Sequence, residues 1–167
     1  DYKVRFCVVD NATGMKYFYY STVRGKTDFS QGILLLTSRQ GQAELSFIKP
    51  DGKIQTDLYG QMYGEPLPGS PRQLIAIQHE FMLNKPYLGY WVICSDTQRG
   101  GVQLDVNTLK RTKYLNENFF SIPKEEIDAQ YFFPTSMAVM NGIINNRFYL
   151  GASSTYYLSP VYGYFGL

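Results

Sequence analysis

Residues 43–59 read AELSFIKPDGKIQTDLY, and this stretch decides the fold class. Leu45 and Phe47 alternate with polar neighbours, which is the two-residue period of a half-buried strand. Pro50-Asp51-Gly52 joins a residue of fixed φ to one that tolerates positive φ, as a tight turn requires. Alternation resumes over Lys53–Tyr59, so the whole stretch predicts a β-hairpin.

Short strands separated by turn residues continue in both directions along the chain. The further strand-like runs are Tyr2–Val9, Met15–Val23, Gly32–Ser38, Tyr87–Ser95 and Gly101–Val106. Long helical patterns between strands, which a parallel sheet needs, are absent from the sequence. We therefore predict an all-β fold in one domain over residues 1–167, an antiparallel sandwich or closed barrel of about nine short strands.

Helical signals are few. Pro123-Lys124-Glu125-Glu126 would place acidic residues in a first turn, so we predict one short helix over Pro123–Gln130. Arg72–Leu83 fits both a helix and a strand, with the strand favoured in its second half, and Met137–Ile144 is ambiguous. Gly64–Pro71 contains three prolines and two glycines and predicts a long loop inside the domain.

The C-terminal quarter of the chain is nearly free of charge. Ala129–Leu167 carries one charged residue, Arg147, where the overall charged fraction of 18% would place about seven. A surface in water normally mixes charges of both signs, so this aromatic quarter faces a core, a partner or lipid. Central strands and an interaction face both fit, whereas the charged residues of the earlier strands weaken the lipid alternative.

Tyrosine is the residue type from which we predict function, because the chain has 15 Tyr and one Trp. Such side chains give large, stiff contact areas with a polar tip. Both faces of the strand around residues 17–20 are aromatic, so one face would pack on a neighbour or a ligand. Tyrosines that merely rim the core are the alternative. The predicted contact residues are Tyr17, Tyr19, Tyr20, Tyr87, Trp91, Tyr156, Tyr157, Tyr162 and Tyr164.

The two cysteines provide evidence on the cellular location of the protein. Cys7 and Cys94 each lie in a strand-like run, and they could be buried free thiols or one disulfide that joins the first strand to a central one. The disulfide would place the protein outside the cytoplasm, so we predict an extracellular, periplasmic or surface-displayed location. A membrane partner is not expected, because no apolar run reaches about 18 residues.

Catalytic and cofactor signals are weak. A zinc-protease helix would need a second histidine four residues after His79, where Leu83 stands. Phosphate-binding, dinucleotide-binding, calcium-loop and nucleophile-elbow motifs are absent from the sequence. The net charge of +2 is too small to indicate a nucleic-acid partner. We expect no cofactor, no metal and no nucleic acid.

These observations predict a non-catalytic extracytoplasmic interaction protein that binds a protein partner or a glycan through a neutral, Tyr-rich surface. One alternative is a structural subunit of a pilus, coat or tube, in which several copies of the chain meet. Another alternative is a small hydrolase that uses His79.

Overall fold

The chain folds into strands along almost its whole described length. The computed structural model describes residues 2–23, 25, 27–81, 83–84, 87–121, 123, 125–151 and 165–166. The strands are β1 (Tyr2–Val9), β2 (Lys16–Val23), β3 (Ile33–Arg39), β4 (Gln42–Ile48), β5 (Ile54–Gln55), β6 (Pro71–Gln78), β7 (Tyr87–Cys94), β8 (Gly101–Leu104), β9 (Arg111–Tyr114), β10 (Ala129–Pro134), β11 (Met140–Ile144), β12 (Arg147–Gly151) and β13 (Phe165–Gly166). Helix α1 spans Leu58–Tyr63, and a 3₁₀ turn spans Leu115–Glu117. The all-β prediction is confirmed.

The strands form four antiparallel sheets, and within each sheet the strands lie in the order in which they occur along the chain. These sheets are β1-β2, β3-β4-β5, β6-β7-β8-β9 and β10-β11-β12-β13. Each one is a meander, because every strand pairs with the next along the sequence. All four sheets are open over the described residues, so the closed-barrel alternative is not adopted.

Sheet β6–β9 is covered on both of its faces. Its first face carries Ile75, Ile77, Trp91 and Ile93, which pack against Phe132, Met140 and Ile144 of sheet β10–β13. Its second face carries Val92, Cys94, Val102 and Leu104, which pack against Ala43 and Leu45 of β4 and Tyr59 of α1. Three layers result, with β6–β9 in the middle.

The helix predicted over Pro123–Gln130 is wrong. Residues 125–128 are not helical, and β10 begins at Ala129. The backbone N–H of Ile127 donates to the Thr97 carbonyl at 2.6 Å, and that of Asp128 donates to Asn145 Oδ1 at 2.7 Å. These tertiary bonds take up the donors that a helix would have paired internally.

The helix that does form is six residues long and was not predicted. It ends at Gly64, which has a φ of 67° and donates its N–H to the Gly60 carbonyl at 2.8 Å. A left-handed glycine is the usual way to end a helix. No helix in the described part of the chain is long and apolar enough to cross a membrane.

The predicted Cys7–Cys94 disulfide is not formed. Both residues are free thiols; Cys7 is exposed on β1 and Cys94 is buried in β7. Their strands belong to different sheets. Burial raises the pKa of the Cys94 thiol to about 12, because a thiolate would be poorly solvated there.

Candidate interaction surface

The β1–β2 hairpin is a long, regular ribbon. Its strands pair over eight positions, from Tyr2 opposite Val23 to Val9 opposite Lys16. The turn is held by Asp10 Oδ1, which accepts the backbone N–H of Ala12 at 2.8 Å. That hydrogen bond is the main reason why the pKa of the Asp10 carboxyl is lowered, since it stabilises the carboxylate.

The hairpin has two chemically different faces, because successive side chains of a strand point to opposite sides. One side, called the aromatic face below, carries no charged residue. The aromatic face consists of Tyr2, Val4, Phe6, Val8, Tyr17, Tyr19, Ser21 and Val23. The other side, called the basic face, consists of Lys3, Arg5, Cys7, Val9, Lys16, Phe18, Tyr20 and Thr22.

The aromatic face is open to solvent. Tyr2 is 72% exposed, Tyr19 69%, Tyr17 58% and Phe6 52%. Phe6 lies directly opposite Tyr19, and their ring centres are 6.5 Å apart. Within the described part of the chain, no other element makes more than marginal contact with β1 or β2. The hairpin therefore holds its largest apolar surface in water.

The basic face combines three cations with exposed aromatic side chains, since Phe18 is 50% exposed and Tyr20 64%. Arg5 lies over the Phe18 ring at 5.0 Å from its centre, and Lys3 and Lys16 add two further cations. An antiparallel sheet with one charged and one apolar face typically packs the apolar face on another layer. The aromatic face is therefore the candidate contact surface of the hairpin.

The structure separates the predicted contact residues. Tyr17 and Tyr19 share the aromatic face, whereas Tyr20 lies on the basic face. Tyr87 is half exposed at the start of β7, in another sheet, where it lines a depression with Ile33 and other residues. The four remaining predicted tyrosines lie outside the described residues; they are Tyr156, Tyr157, Tyr162 and Tyr164.

Trp91 is a core residue, so its prediction as a surface contact is wrong. Its side chain is fully buried between the sheets, opposite Ile75 on β6. The Lys113 ammonium lies 5.7 Å from the centre of its ring. A strand with neutral residues on both sides can be packed against a layer on each side, and β7 is packed in this way.

A second uncharged face lies on the outer side of β10–β12. Five of its residues are apolar and make up what we call the outer face: Tyr131, Phe133, Ile143, Phe148 and Leu150. Phe133 and Phe148 are stacked with ring centres 6.1 Å apart and planes inclined by 14°. Tyr131, Phe148 and Leu150 are each at least half exposed. The absence of charge in the C-terminal quarter is the sequence signal for this face.

Other tyrosines serve the fold rather than a surface. The Arg111 guanidinium lies 4.7 Å from the ring centre of Tyr63 and 4.3 Å from that of Tyr114. It also forms an ion pair with Glu65 at 2.7 Å, and this hydrogen-bonded pairing lowers the pKa of the Glu65 carboxyl. The cluster ties α1 to β9, as expected for tyrosines that rim a core.

His79 offers no open catalytic site. It is 3% exposed, and its backbone forms an isolated bridge with Met137. Among the described residues, no group of three or more His, Cys, Asp or Glu could hold a metal ion. This placement gives the hydrolase alternative no support.

Residues 1–71, which contain the hairpin, β3–β5 and α1, are similar to the PKD-like family. Domains of that family are β-sandwiches that are often extracellular and involved in interaction or adhesion. The similarity covers less than half of the 167 residues and ends where β6 begins. No curated protein and no solved structure matches the chain.

Proposed function

We propose that this chain is a non-catalytic, extracytoplasmic interaction protein whose partner is a protein that packs on the aromatic face of the hairpin. The observation that carries the proposal is an uncharged face with exposed rings on a two-stranded sheet that no other described element covers. A lone two-stranded hairpin is marginally stable in water, so a covering layer would stabilise it.

The size of the aromatic face suits a protein. A Phe or Tyr side chain has roughly 150–250 Å² of surface, so its four rings expose about 500 Å² in total. The valines of the face add to this area. The sum approaches the ~800 Å² that each partner contributes to a standard protein–protein interface.

The chemistry of the face also favours a protein over a glycan. Its polar groups are three tyrosine hydroxyls and Ser21, which are few for a ligand covered with hydroxyls. Apolar contact is the larger contribution it can make, and tyrosine is enriched in protein interfaces. Similarity to a family whose domains are often extracellular supports the location.

Photo-crosslinking from two adjacent positions tests the proposal. A photoreactive phenylalanine analogue is placed at Tyr19 in one variant and at Tyr20 in the other, and each is irradiated in extract of the source cells. Because these neighbours point to opposite faces, only the Tyr19 variant should give a discrete adduct. Excess untagged wild-type protein should suppress that adduct, and mass spectrometry should identify its protein component.

Equal labelling from both positions, or an adduct that excess wild-type protein leaves unchanged, would show that the aromatic face is not a specific binding surface. Thermal unfolding of both variants provides the control that the fold is intact.

The outer face of β10–β12 favours a second candidate function, a structural subunit. Two uncharged aromatic surfaces on one chain allow the aromatic face of one copy to pack on the outer face of the next. Such a head-to-tail contact makes a ring if its rotation closes and a filament if it does not.

Sedimentation velocity separates the two functions. An assembly subunit should form a large species that both Tyr19→Ser and Phe148→Ser dissociate, while Tyr20→Ser leaves it intact. A binder of another protein should sediment as a monomer in all four forms, the wild type included.

A further inference from the structure

Two adjoining depressions lie beside β12 and form one groove. Their volumes are about 200 and 310 Å³, and both are lined by Phe119, Pro123 and Tyr149. The first depression also contains Glu125 and Arg147. None of these residues belongs to the aromatic face of the hairpin.

The wall shared by the two depressions is aromatic and rigidly held. The Phe119 and Tyr149 rings meet edge to face, with centres 5.5 Å apart and planes at 89°. Phe165 backs Phe119 at 5.4 Å, and its N–H donates to the Asn118 carbonyl at 2.7 Å. Phe119 is only 7% exposed, so the wall exists before any ligand arrives.

The rim of the first depression carries three polar groups, which belong to Glu125, Arg147 and Tyr149. Neither the Glu125 carboxylate, the Arg147 guanidinium nor the Tyr149 hydroxyl has a hydrogen bond or an ion pair with any described residue. Asn145, by contrast, is occupied, because it donates to the Glu126 carbonyl at 2.8 Å and accepts from the Asp128 N–H at 2.7 Å. Asn145 thereby fixes the loop that carries Glu125.

We propose that this groove binds a neutral oligosaccharide. A sugar ring has an apolar C–H face that can lie on the Tyr149 ring, which Phe119 holds in place, and hydroxyls that both donate and accept hydrogen bonds. Glu125 can accept from them, Arg147 can donate to them, and the Tyr149 hydroxyl can do both. An apolar wall with a few convergent polar groups is the general form of a small-ligand site.

Charge and size set the ligand class. The Glu125 carboxylate and the Arg147 guanidinium give the rim no net charge. A ligand with a net charge would be repelled by the rim group of the same sign, whereas uncharged hydroxyls can form hydrogen bonds with both groups. Two adjoining depressions suit two successive sugar rings of a chain. The proposal is independent of the hairpin, since the two sites share no residue.

The test is calorimetric titration of the whole chain with neutral gluco-, manno- and galacto-oligosaccharides of two to six units, and with acidic oligosaccharides of the same lengths for comparison. We expect at least one of them to bind more tightly than about 1 mM. Glu125→Gln and Arg147→Gln should each weaken that binding about tenfold. Tyr149→Phe keeps the ring and removes only the hydroxyl, so it should weaken binding severalfold.

Glu80→Gln and Arg39→Gln are the matched controls, because both side chains are exposed and neither lines the groove. Both should bind as the wild type does. The proposal is overturned if none of these sugars binds, if the three groove variants bind unchanged, or if acidic oligosaccharides bind more tightly than neutral ones. Thermal midpoints equal to that of the wild type show that a variant's loss is local.

Discussion

The β1–β2 hairpin and strand β7 contain the same kinds of residue, yet one is in water and the other is buried. Both are rich in aromatic and β-branched side chains. They differ in charge: β7 is neutral on both sides, whereas the hairpin has one neutral and one basic face. β7 has a covering layer on each side. Both uncharged sides of β7 are covered, whereas no described element covers the uncharged face of the hairpin, which we propose is covered by a partner.

Replacing the most buried aromatic residue should have the largest effect. Trp91→Ala would leave a cavity between two layers, and we expect the free energy of unfolding to fall by about 3–5 kcal/mol. Tyr19→Ala in the hairpin removes a ring that is already in water, so it should cost less than about 1 kcal/mol. Urea unfolding of the two variants measures the contrast. Similar losses would mean that the hairpin is covered within the chain.

A charge inside the covered sheet should make stability depend on pH. Lys113 is 6% exposed, and burial lowers its pKa to about 8, against an ordinary value of 10.5. Below pH 8 the amine is protonated in both states, so the burial penalty is present in full. Between pH 8 and 10.5 the unfolded chain binds the extra proton, so this residue makes stability rise with pH across that window.

Lys113→Met removes the titrating amine while keeping a long side chain. Between pH 8 and 10 the variant should lose about 1–3 kcal/mol of stability relative to the wild type, because only the wild type is relieved of a burial penalty. Loss of the hydrogen bond from Lys113 to the buried Asn118 oxygen lowers the variant's stability at every pH. The raised pKa of Cys94 is common to both proteins and cancels in the difference. A stability difference between the two proteins that is constant with pH would place the titration of Lys113 outside this window.

The basic face of the hairpin should tolerate substitution. Arg5→Gln removes the contact with the Phe18 ring, and exposed pairs of this kind contribute about 0.5–1 kcal/mol. We expect a loss no larger than this in the wild-type background. Urea unfolding of the Phe18→Ala variant with and without Arg5→Gln provides the double-mutant cycle; a coupling of several kcal/mol would mean that this face is buried too.

The reactivity of the two thiols measures the exposure of β1 and β7 without any substitution. At pH 8 one thiol per chain, Cys7, should react with a disulfide reagent in the folded protein, and Cys94 should react only when the chain unfolds. Because Cys7 lies on the basic face, it should stay reactive when a partner covers the aromatic face. Loss of Cys7 reactivity on binding would show that the partner covers the basic face and not the aromatic face.

Much of the fold could be predicted because alternation and turn residues are local. The predicted Tyr2–Val9 strand has the bounds of β1, and the Pro50-Asp51-Gly52 turn joins β4 to β5. The helix errors have tertiary causes: hydrogen bonds from Ile127 and Asp128 to distant loops replace a helix, and α1 is too short to give a periodic signal.

The candidate surface could be predicted only in part. Tyr17 and Tyr19 are exposed, and their role as contact residues stays a prediction. A two-residue period gives the side of a strand and not what lies against it, so the buried Trp91 was misassigned. The groove could not be predicted from the sequence, because Phe119, Glu125 and Tyr149 come together only through the packing of sheets, which no local sequence pattern specifies.

Amide hydrogen exchange of the purified chain tests the contrast between covered and uncovered sheets most directly. We expect the amides of β1 and β2 to exchange quickly through local opening, and those of β6 and β7 to exchange only through global unfolding. Equal protection of the two regions in the isolated chain would contradict the account, because it would show that the aromatic face already has its covering layer.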